Sequence, residues 1–308
     1  MGSLNDGTVH LGYNNQRLNF SFDASDVYTV SADPIRRKLG SFRDEMVRAA
    51  REITSSIGAK RIYVMYSGGI DSEAVVEAFR LANLPATAVC VRYSDDLNGH
   101  DMKHAQEYFD RTGYRDYRFI DFDVRKWLAS SECRDFSREI QMIEQGYTSH
   151  LKVALDELGD GVTIYCHEEP TVWRLDDANT GARRWVFHSH ERHYSVYKFF
   201  MKYGLTGVPS FFQWSTELLN SFMINPYWVA LFNGLYNPTV WNSEQLKYGF
   251  YASTLDLKAR KKYTGYEKLI STILSANRDL KSDPQVIWNR YCDVDIFDWY
   301  ERCKVKTI

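Results

Sequence analysis

The sequence predicts an α/β fold in which a parallel, doubly wound sheet is followed by a C-terminal helical region. Between residues 61 and 166, short apolar runs alternate with stretches that repeat their apolar residues at helical spacing. Repeated βα units of this kind form a parallel sheet with helices on both faces. After about residue 191, strand patterns nearly vanish, and aromatic helical patterns separated by prolines replace them.

Three regions follow from these changes of pattern. Residues 1–32 alternate apolar and polar types and are predicted to form a β-rich extension with two or three short strands. Residues 33–205 carry the βα units and form the α/β domain, and residues 206–308 form the helical region. Ligands of such sheets bind beyond the carboxyl ends of the strands, so a binding site is expected in the α/β domain.

The individual elements are placed from the periodicity of their apolar residues. A first helix is predicted from Pro34, in its first turn, to about Ile57. The βα units then run as strand Arg61–Tyr66, helix Ser72–Asn83, strand Ala86–Tyr93, helix Asp101–Thr112 closed by Gly113, strand Tyr117–Phe122, two amphipathic helices within 124–158, and strand Val162–Cys166. The later helices are predicted at Tyr194–Tyr203, Phe211–Met223, Tyr227–Tyr236, Tyr266–Ala276 and Val286–Tyr291.

The composition is that of an ordinary globular protein, with 44% apolar and 25% charged residues in a chain of 308. No apolar run reaches about eighteen residues, and the N-terminus lacks a basic segment followed by an apolar one. We therefore expect neither a transmembrane helix nor a signal peptide. The five cysteines form no Cys-x-x-Cys pair, which is typical of free thiols in a reducing cytoplasm. A net charge of −2 gives no general attraction to nucleic acid.

The clearest functional signal lies between the first strand of the sheet and its helix. Residues 67–72 read Ser-Gly-Gly-Ile-Asp-Ser. Because the chain passes from strand to glycine turn to helix, free backbone N–H groups and the positive end of the helix dipole point at one spot. Gly68 and Gly69 let a phosphate approach the backbone, and Ser67 and Ser72 add hydroxyl donors. The alternative is a tight strand-to-helix turn without a ligand.

This pattern resembles the PP-loop of the ATP pyrophosphatases. It differs from the P-loop of kinases, whose glycines lie four residues apart and precede a lysine. The resemblance implies an adenine nucleotide α-hydrolase-like fold and an enzyme that cuts ATP between its α and β phosphates. Such enzymes adenylate a carboxyl or carbonyl group, and a nitrogen or sulfur nucleophile then displaces AMP. The resemblance further implies that ATP and Mg²⁺ are the cofactors, with nucleotide contacts from Ser67, Gly68, Gly69, Asp71, Ser72, Val91 and Arg92.

Within this superfamily, the chain is most similar to the amide-forming group typified by the synthetase domain of asparagine synthetase. The similarity covers about residues 35–205 and rests on the helix at 41–57, on the segment Asp101–Gly113, and on Glu168 and Glu169 after the fourth strand. It implies that Glu168 and Glu169 lie near the magnesium ion. The chain shows no glutaminase domain and no N-terminal cysteine nucleophile, so we expect free ammonia or another amine to supply nitrogen. The chain is also similar to PP-loop proteins of tailed phages.

Three charged residues are candidates for catalysis. Asp71 is predicted to orient magnesium, to cap the helix together with Ser72, or both. Lys258, Arg260, Lys261 and Lys262 form a basic stretch, and Lys258 and Lys262 lie one helical turn apart if the stretch is helical. Fixed cations stabilise the charge that develops on leaving pyrophosphate, so both lysines are predicted to act on it. The alternative is a solvated, charged end of a helix.

Histidines form two further groups. His188, His190 and His193 are interpreted as surface or substrate-binding residues in preference to a zinc site, because no cysteine lies near them. His100 and His104 lie four apart on a predicted helix but do not match the His-Glu-x-x-His motif, and we interpret them as helix surface.

Three functions remain open from the sequence. The first is a cytoplasmic adenylating enzyme that forms an amide or C–N bond, with an unidentified small-molecule or nucleobase acceptor bound by the helical region. The second is a PP-loop enzyme that modifies tRNA or DNA bases, thiolation and sulfate-reductase-like chemistry included. The basic stretch favours it, whereas the acidic balance and the sequence at 92–96, which lacks the Asp-Thr-Gly of the reductases, speak against it. The third is a non-catalytic ATP-binding module.

Overall fold

A parallel sheet forms the centre of the protein. The structure, a computed structural model, describes residues 9–11, 30–32, 35–142, 145–159, 161–166, 171–176, 180, 183–189, 191–223, 225–227, 243–258, 260, 263–269 and 292–295. Its strands are β1 (Val9–Leu11), β2 (Val30–Ala32), β3 (Ile62–Met65), β4 (Thr87–Tyr93), β5 (Tyr117–Phe122), β6 (Val162–Ile164), β7 (Thr171–Asp176), β8 (Arg183–Ser189), β9 (Gly207–Val208) and β10 (Cys292–Asp295).

The order of strands in the central sheet is β5-β4-β3-β6-β9, and every pair is parallel. Val64 in β3 lies opposite Ala88 in β4 on one side and Ile164 in β6 on the other. The chain therefore adds β4 and β5 on one side of β3, and then adds β6 and β9 on the other side. The direction in which strands are added reverses between β3 and β6. Open α/β sheets bind their ligands at the carboxyl end of such a reversal point.

Nine helices are present in the described part of the chain. They are α1 (Phe42–Ile57), α2 (Ile70–Ala82), α3 (Gly99–Thr112), α4 (Val124–Ala129), α5 (Ser131–Ile140), α6 (Thr148–Glu157), α7 (Glu191–Tyr203), α8 (Thr216–Met223) and α9 (Ser243–Leu255). Short 3₁₀ turns lie at Ser94–Asp96, Gln145–Tyr147, Phe211–Gln213 and Tyr266–Lys268. Gly113 closes α3 with φ 70°, the left-handed conformation expected of it.

The helices cover both faces of the sheet, as the alternation of strand side chains requires. Ala88 and Cys90 of β4 join one buried core with residues of α1, α2, α3, α8 and α9. Val89, Val91 and Tyr93 of the same strand join a second core with residues of α4, α5, α6 and α7. The predicted doubly wound α/β fold is thereby confirmed.

The first helix begins later than the sequence predicts. Ser41 is its N-cap, and a capping box joins Ser41 to Asp44, whose carboxylate accepts hydrogen bonds from Ser41 in return. Residues 35–40 are not helical. Pro34 itself lies outside the described residues. The predicted start of the helix near Pro34 is wrong, because the capping box at Ser41 fixes the first turn.

Two small sheets accompany the central one. β1 and β2 pair in parallel within the predicted β-rich extension. β7 and β8 form an antiparallel hairpin, and β10 pairs antiparallel with β8. This second sheet was not predicted, since the sequence analysis placed no element between the strand Val162–Cys166 and the helix Tyr194–Tyr203. It also brings a strand from near the C-terminus, where the sequence predicts only helices.

The region after residue 205 differs from the prediction in three further ways. β9 adds a fifth strand to the central sheet just beyond the predicted domain boundary. The predicted helix Phe211–Met223 is a 3₁₀ turn followed by α8, and α9 was not predicted. The predicted helix Val286–Tyr291 lies outside the described residues, as do residues 228–236 of the predicted helix Tyr227–Tyr236. Of the predicted helix Tyr266–Ala276, residues 270–276 lie outside the described residues, and its beginning is the 3₁₀ turn Tyr266–Lys268. None of the described helices combines the length and apolar character that crossing a membrane would need.

Candidate functional site

The glycine turn lies at the carboxyl end of β3, beside the reversal point of the sheet. Gly68 has φ 81°, a conformation that residues with a side chain rarely adopt. A Cβ at this position would also overlap the carbonyl oxygen of Asp101 at the start of α3. Gly69 has φ −77° and ψ 154°, which any residue can adopt. The positive φ and the close packing against α3 therefore explain why residue 68 is a glycine. The backbone conformation of residue 69 does not itself require a glycine.

Two serines fix the shape of this turn. Ser72 is buried, and its Oγ donates to the carbonyl oxygen of Gly69 at 2.9 Å and accepts from the backbone N–H of Ser67 at 3.2 Å. The Oγ atoms of Ser67 and Ser72 lie 3.2 Å apart. The Oγ of Ser67 accepts from the backbone N–H of Gly69 at 3.3 Å. The two hydroxyls thus hold the turn in its curled form.

Helix α2 begins with Gly69 as its N-cap, so the expected capping by Asp71 and Ser72 is wrong. Both residues lie inside the first turn, because the helix begins at Ile70, two residues earlier than predicted. A glycine N-cap offers no side-chain oxygen, and no side chain caps the helix at this position. The N–H groups of a first helical turn have no partner within the helix. Here they face the carboxyl edge of the sheet with the positive end of the dipole.

Asp71 contacts a cation from the C-terminal region. Its Oδ2 lies 3.4 Å from Nζ of Lys247, which belongs to α9. The two side chains are 20% and 29% exposed, so the pair is accessible from the solvent. A carboxylate placed in the first turn of a helix is stabilised by the helix dipole.

Arg260 is the residue of the basic stretch that reaches the glycine turn. Its Nε and Nη2 donate to the carbonyl oxygen of Gly68 at 3.0 and 2.8 Å. Its Nη2 also pairs with Oε2 of Glu73 at 2.5 Å. The sequence analysis selected Lys258 and Lys262 from this stretch by helical spacing, whereas residues 256–258 are not helical. Lys258 is exposed, and Lys262 lies outside the described residues.

Glu73 is a completely buried carboxylate one turn into α2. Tyr66, directly before the glycine turn, donates its hydroxyl to Oε2 of Glu73 at 2.6 Å, and Arg111 of α3 reaches Oε1 at 3.3 Å. With Arg260, three donors converge on this carboxylate, which balances the cost of burying its charge. Burial raises the pKa of the Tyr66 phenol well above its usual value, and the neighbouring Glu73 carboxylate adds to the effect.

Residues 263–269, which follow Arg260 in the sequence, lie beside the carboxyl end of β4 and the start of α3. The backbone N–H of Tyr263 donates to Oδ1 of buried Asp101 at 3.0 Å. Gly265, with φ 81°, packs so closely on the carbonyl of Leu97 that a Cβ would overlap it. The hydroxyl of Tyr266 bonds to that of Tyr93 at the end of β4 and lies 2.8 Å from Oγ of Ser149. A C-terminal segment therefore borders the edge at which the glycine turn opens.

The predicted adenine contacts lie at the end of β4. Val91 is completely buried, and its carbonyl oxygen accepts from Nδ2 of Asn98 at 2.8 Å. Arg92 is exposed and pairs with Asp121 of β5, its Nε lying 2.6 Å from Oδ1. Adenine binding near these residues stays a prediction.

The predicted magnesium ligands are only partly described. Asp71 lies in the first turn of α2, whereas Glu168 and Glu169 lie outside the described residues. Among the residues that the structure describes, no group of three histidine, cysteine, aspartate or glutamate side chains could hold a metal ion. Mg²⁺ commonly uses one or two carboxylates together with the phosphates of its nucleotide, and Asp71 with ATP fits this pattern.

The histidines and cysteines complete the set of candidates. His188 lies in β8, opposite Thr171 and Asp293, while His190 lies outside the described residues and the side chain of His193 is not described. His104 lies on α3 with its Nε2 3.1 Å from that of His100 and its Nδ1 3.3 Å from Glu107. Cys90 and Cys133 are buried free thiols, and burial raises the pKa of Cys133.

Comparison with known proteins gives no family for this chain. No protein-family model matches it, and neither does any curated protein. Among solved structures, it is similar to NMN synthetase from Francisella tularensis, at 14% sequence identity over 80% of this chain and 88% of that chain, with a TM-score of 0.36. A TM-score this low carries no argument about fold or activity. The fold assignment accordingly rests on the strand order and the two-sided packing of the sheet.

Proposed function

We propose that this protein is an ATP-using enzyme of the PP-loop type, which cleaves ATP between the α and β phosphates and transfers the adenylyl group. The observation that carries the proposal is the uncapped first turn of α2, which follows the turn Ser67–Gly69 at the reversal point of the sheet. Backbone N–H groups at a helix N-terminus bind phosphate oxygens. A glycine N-cap leaves these N–H groups to a ligand.

The residues around the turn have distinct roles in this proposal. The backbone of Gly69 and the first turn of α2 bind phosphate, while Ser67 and Ser72 hold the turn in shape. Asp71 is the described residue that would hold Mg²⁺, and bound Mg²⁺ would neutralise charge on the phosphates. Lys247, next to Asp71, lies where a cation can attract the same polyphosphate.

The finer proposal concerns the acceptor. An oxygen of a carboxyl or carbonyl group attacks the α-phosphorus, the bond to the bridging oxygen breaks, and pyrophosphate leaves with the electron pair. An amine or ammonia then attacks the activated carbon and AMP leaves, so that an amide or C–N bond forms. The resemblance of residues 35–205 to amide-forming synthetases supports this choice of chemistry. The acceptor is a small molecule or a nucleobase.

Product analysis tests the proposal. The protein is incubated with ATP, Mg²⁺, ammonium and a panel of carboxylic acids and amides, and phosphorus NMR identifies the products. We expect AMP and pyrophosphate. ADP and phosphate as products would overturn the proposal. Exchange of labelled pyrophosphate into ATP, dependent on a particular acid, would identify the acceptor. The variant Gly69→Val, whose branched side chain lies where phosphate must approach, serves as the inactive control.

Nucleic-acid modification is less well supported by the geometry than by the sequence. Arg260, at the centre of the basic stretch, is 10% exposed and engaged with Gly68 and Glu73. Arg260 therefore presents little exposed charge to the extended phosphate backbone of tRNA or DNA, whose binding depends on several accessible cations.

A further inference from the structure

A surface groove between α3 and the residues Lys258 and Arg260 contains more positive than negative charge. Four of its lining residues, His104, Glu107, Tyr108 and Arg111, lie on one face of α3 at spacings of three and four. Lys258 and Arg260 line the opposite wall. The volume of about 310 Å³ is at the lower end of the range typical of sites for small molecules.

Three cations converge on this groove, and one buried anion balances part of their charge. Arg111 and Arg260 share the carboxylate of Glu73, which lies behind the wall of the groove. Lys258 is exposed, and among the described residues it has no ion-pair partner. Glu107 at the rim is compensated by Lys103, whose Nζ lies 3.9 Å away. The groove therefore keeps a positive excess.

The two arginines also keep unused hydrogen-bond donors. Arg260 bonds to Gly68, Tyr66 and Glu73 through Nε and Nη2, so its Nη1 makes none of these bonds. Arg111 reaches Glu73 through Nη2 alone. Guanidinium groups with spare N–H donors, held in place by a buried carboxylate, are well suited to phosphate oxygens.

We propose that the groove between α3 and the residues Lys258 and Arg260 binds a phosphate-bearing small anion. This site is separate from the glycine turn, and anion binding in the groove does not depend on the activity proposed above, whereas the two sources of phosphate named below rest on it. The anion would contact Lys258, Arg111 and the free edge of Arg260. Because Arg260 also holds the carbonyl of Gly68, an anion in the groove would contact a side chain that positions the turn. The phosphate could belong to released pyrophosphate or to a phosphorylated acceptor.

Calorimetric titration of the full-length protein without ATP tests the site, with pyrophosphate and ribose 5-phosphate as separate probes. Lys258→Ala should weaken binding about fivefold, the effect of one accessible charge contact. Glu107→Gln should strengthen binding, since it removes the only carboxylate at the rim among the described lining residues. A general loss of folding could not produce these opposite effects. Lys126→Ala, an exposed lysine on α4, is the matched control and should bind as the wild type does.

The titration also separates the two sites and the two sources of phosphate. Binding that persists in Gly69→Val belongs to the groove, whether or not the protein turns over ATP. Tighter binding of pyrophosphate indicates the leaving group, and tighter binding of ribose 5-phosphate indicates a phosphorylated acceptor. Absence of binding by both probes overturns the proposal. Binding that Lys258→Ala and Glu107→Gln leave unchanged overturns it as well.

Discussion

Arg260 and Gly68 are 192 positions apart in the sequence, yet the guanidinium of Arg260 donates two hydrogen bonds to the carbonyl oxygen of Gly68. The same guanidinium pairs with Glu73, one turn further along the chain. The carbonyl of the turn is thus fixed immediately before the start of α2. The C-terminal region therefore takes part in shaping the glycine turn.

Replacing Arg260 should lower the stability of the protein and also release the carbonyl of Gly68 in the glycine turn. Arg260→Ala removes the shortest ion pair of a completely buried carboxylate, and we expect the free energy of unfolding to fall by about 3 kcal/mol. Arg260→Lys should recover only part of this, since an ammonium cannot reproduce the fork to Gly68 and Glu73. Urea unfolding measures the loss. Lys258→Ala, two residues away and exposed, should stay within about 0.5 kcal/mol of the wild type. An equal loss in both alanine variants would contradict the special position of Arg260.

The two glycines should respond differently to alanine. Gly68→Ala combines a positive φ with overlap of the Asp101 carbonyl, so we expect a loss of about 3 kcal/mol in stability. Gly69→Ala keeps an allowed backbone and should cost about 1 kcal/mol or less. If the proposed function is right, Gly69→Ala should nevertheless weaken ATP binding, measured by calorimetry. Thermal unfolding measures the stability of both variants, and ATP titration measures their affinity. Unchanged ATP binding by Gly69→Ala would contradict phosphate binding at the turn.

Alanine substitutions of Ser72 and Asp71 should affect stability and ATP turnover in opposite order. Ser72→Ala leaves the N–H of Ser67 and the carbonyl of Gly69 without their buried partner, and should cost about 1–2 kcal/mol of stability. Asp71→Ala removes a favourable charge near the helix N-terminus and the partly exposed ion pair with Lys247, and should cost about 0.5–1 kcal/mol, because Asp71 is not the cap. In ATP turnover the order should reverse, with Asp71→Ala more severe if this carboxylate holds Mg²⁺. Comparable turnover of Asp71→Ala and the wild type at saturating Mg²⁺ would remove the metal role.

The extent to which the sequence predicts this protein depends on how local each feature is. The strand, turn and helix around Gly68 follow from residues within about fifteen positions, and the prediction placed them to within two residues. The two residues of β9 are too few to show alternation, and the hairpin of β7 and β8 interrupts the βα order. Arg260 could not be chosen over Lys258, because helical spacing was assumed for a segment that is not helical at 256–258. The sequence shows the positive charge of the basic stretch. Which of its side chains pairs with Glu73 depends on tertiary packing and could not be predicted from the sequence.

Tyr93 should make stability depend on pH in the alkaline range. It is buried at the end of β4, and burial raises its pKa to about 12. The unfolded chain ionises near pH 10, so between pH 10 and 12 the unfolded state holds fewer protons than the folded one. The stabilisation is complete below pH 10 and is lost as pH rises towards 12, by about 3 kcal/mol in total.

The variant Tyr93→Phe isolates this contribution. At pH 8 it should be about 1 kcal/mol less stable than the wild type, since Ser149 and Tyr266 lose a hydrogen-bond partner. As pH rises from 10, the wild type loses the stability that belongs to the Tyr93 phenol, whereas the variant has no phenol there to titrate. The difference in the free energy of unfolding should therefore shrink and then change sign. Buried tyrosines that do not contact Tyr93 titrate in both proteins and cancel in the subtraction, whereas Tyr266, whose pKa is raised partly by Tyr93, contributes to the same difference. Ser149→Ala, which keeps the phenol, should follow the slope of the wild type in urea unfolding series at pH 8 to 11. A constant difference between Tyr93→Phe and the wild type over this range would show that Tyr93 ionises equally in the folded and unfolded states.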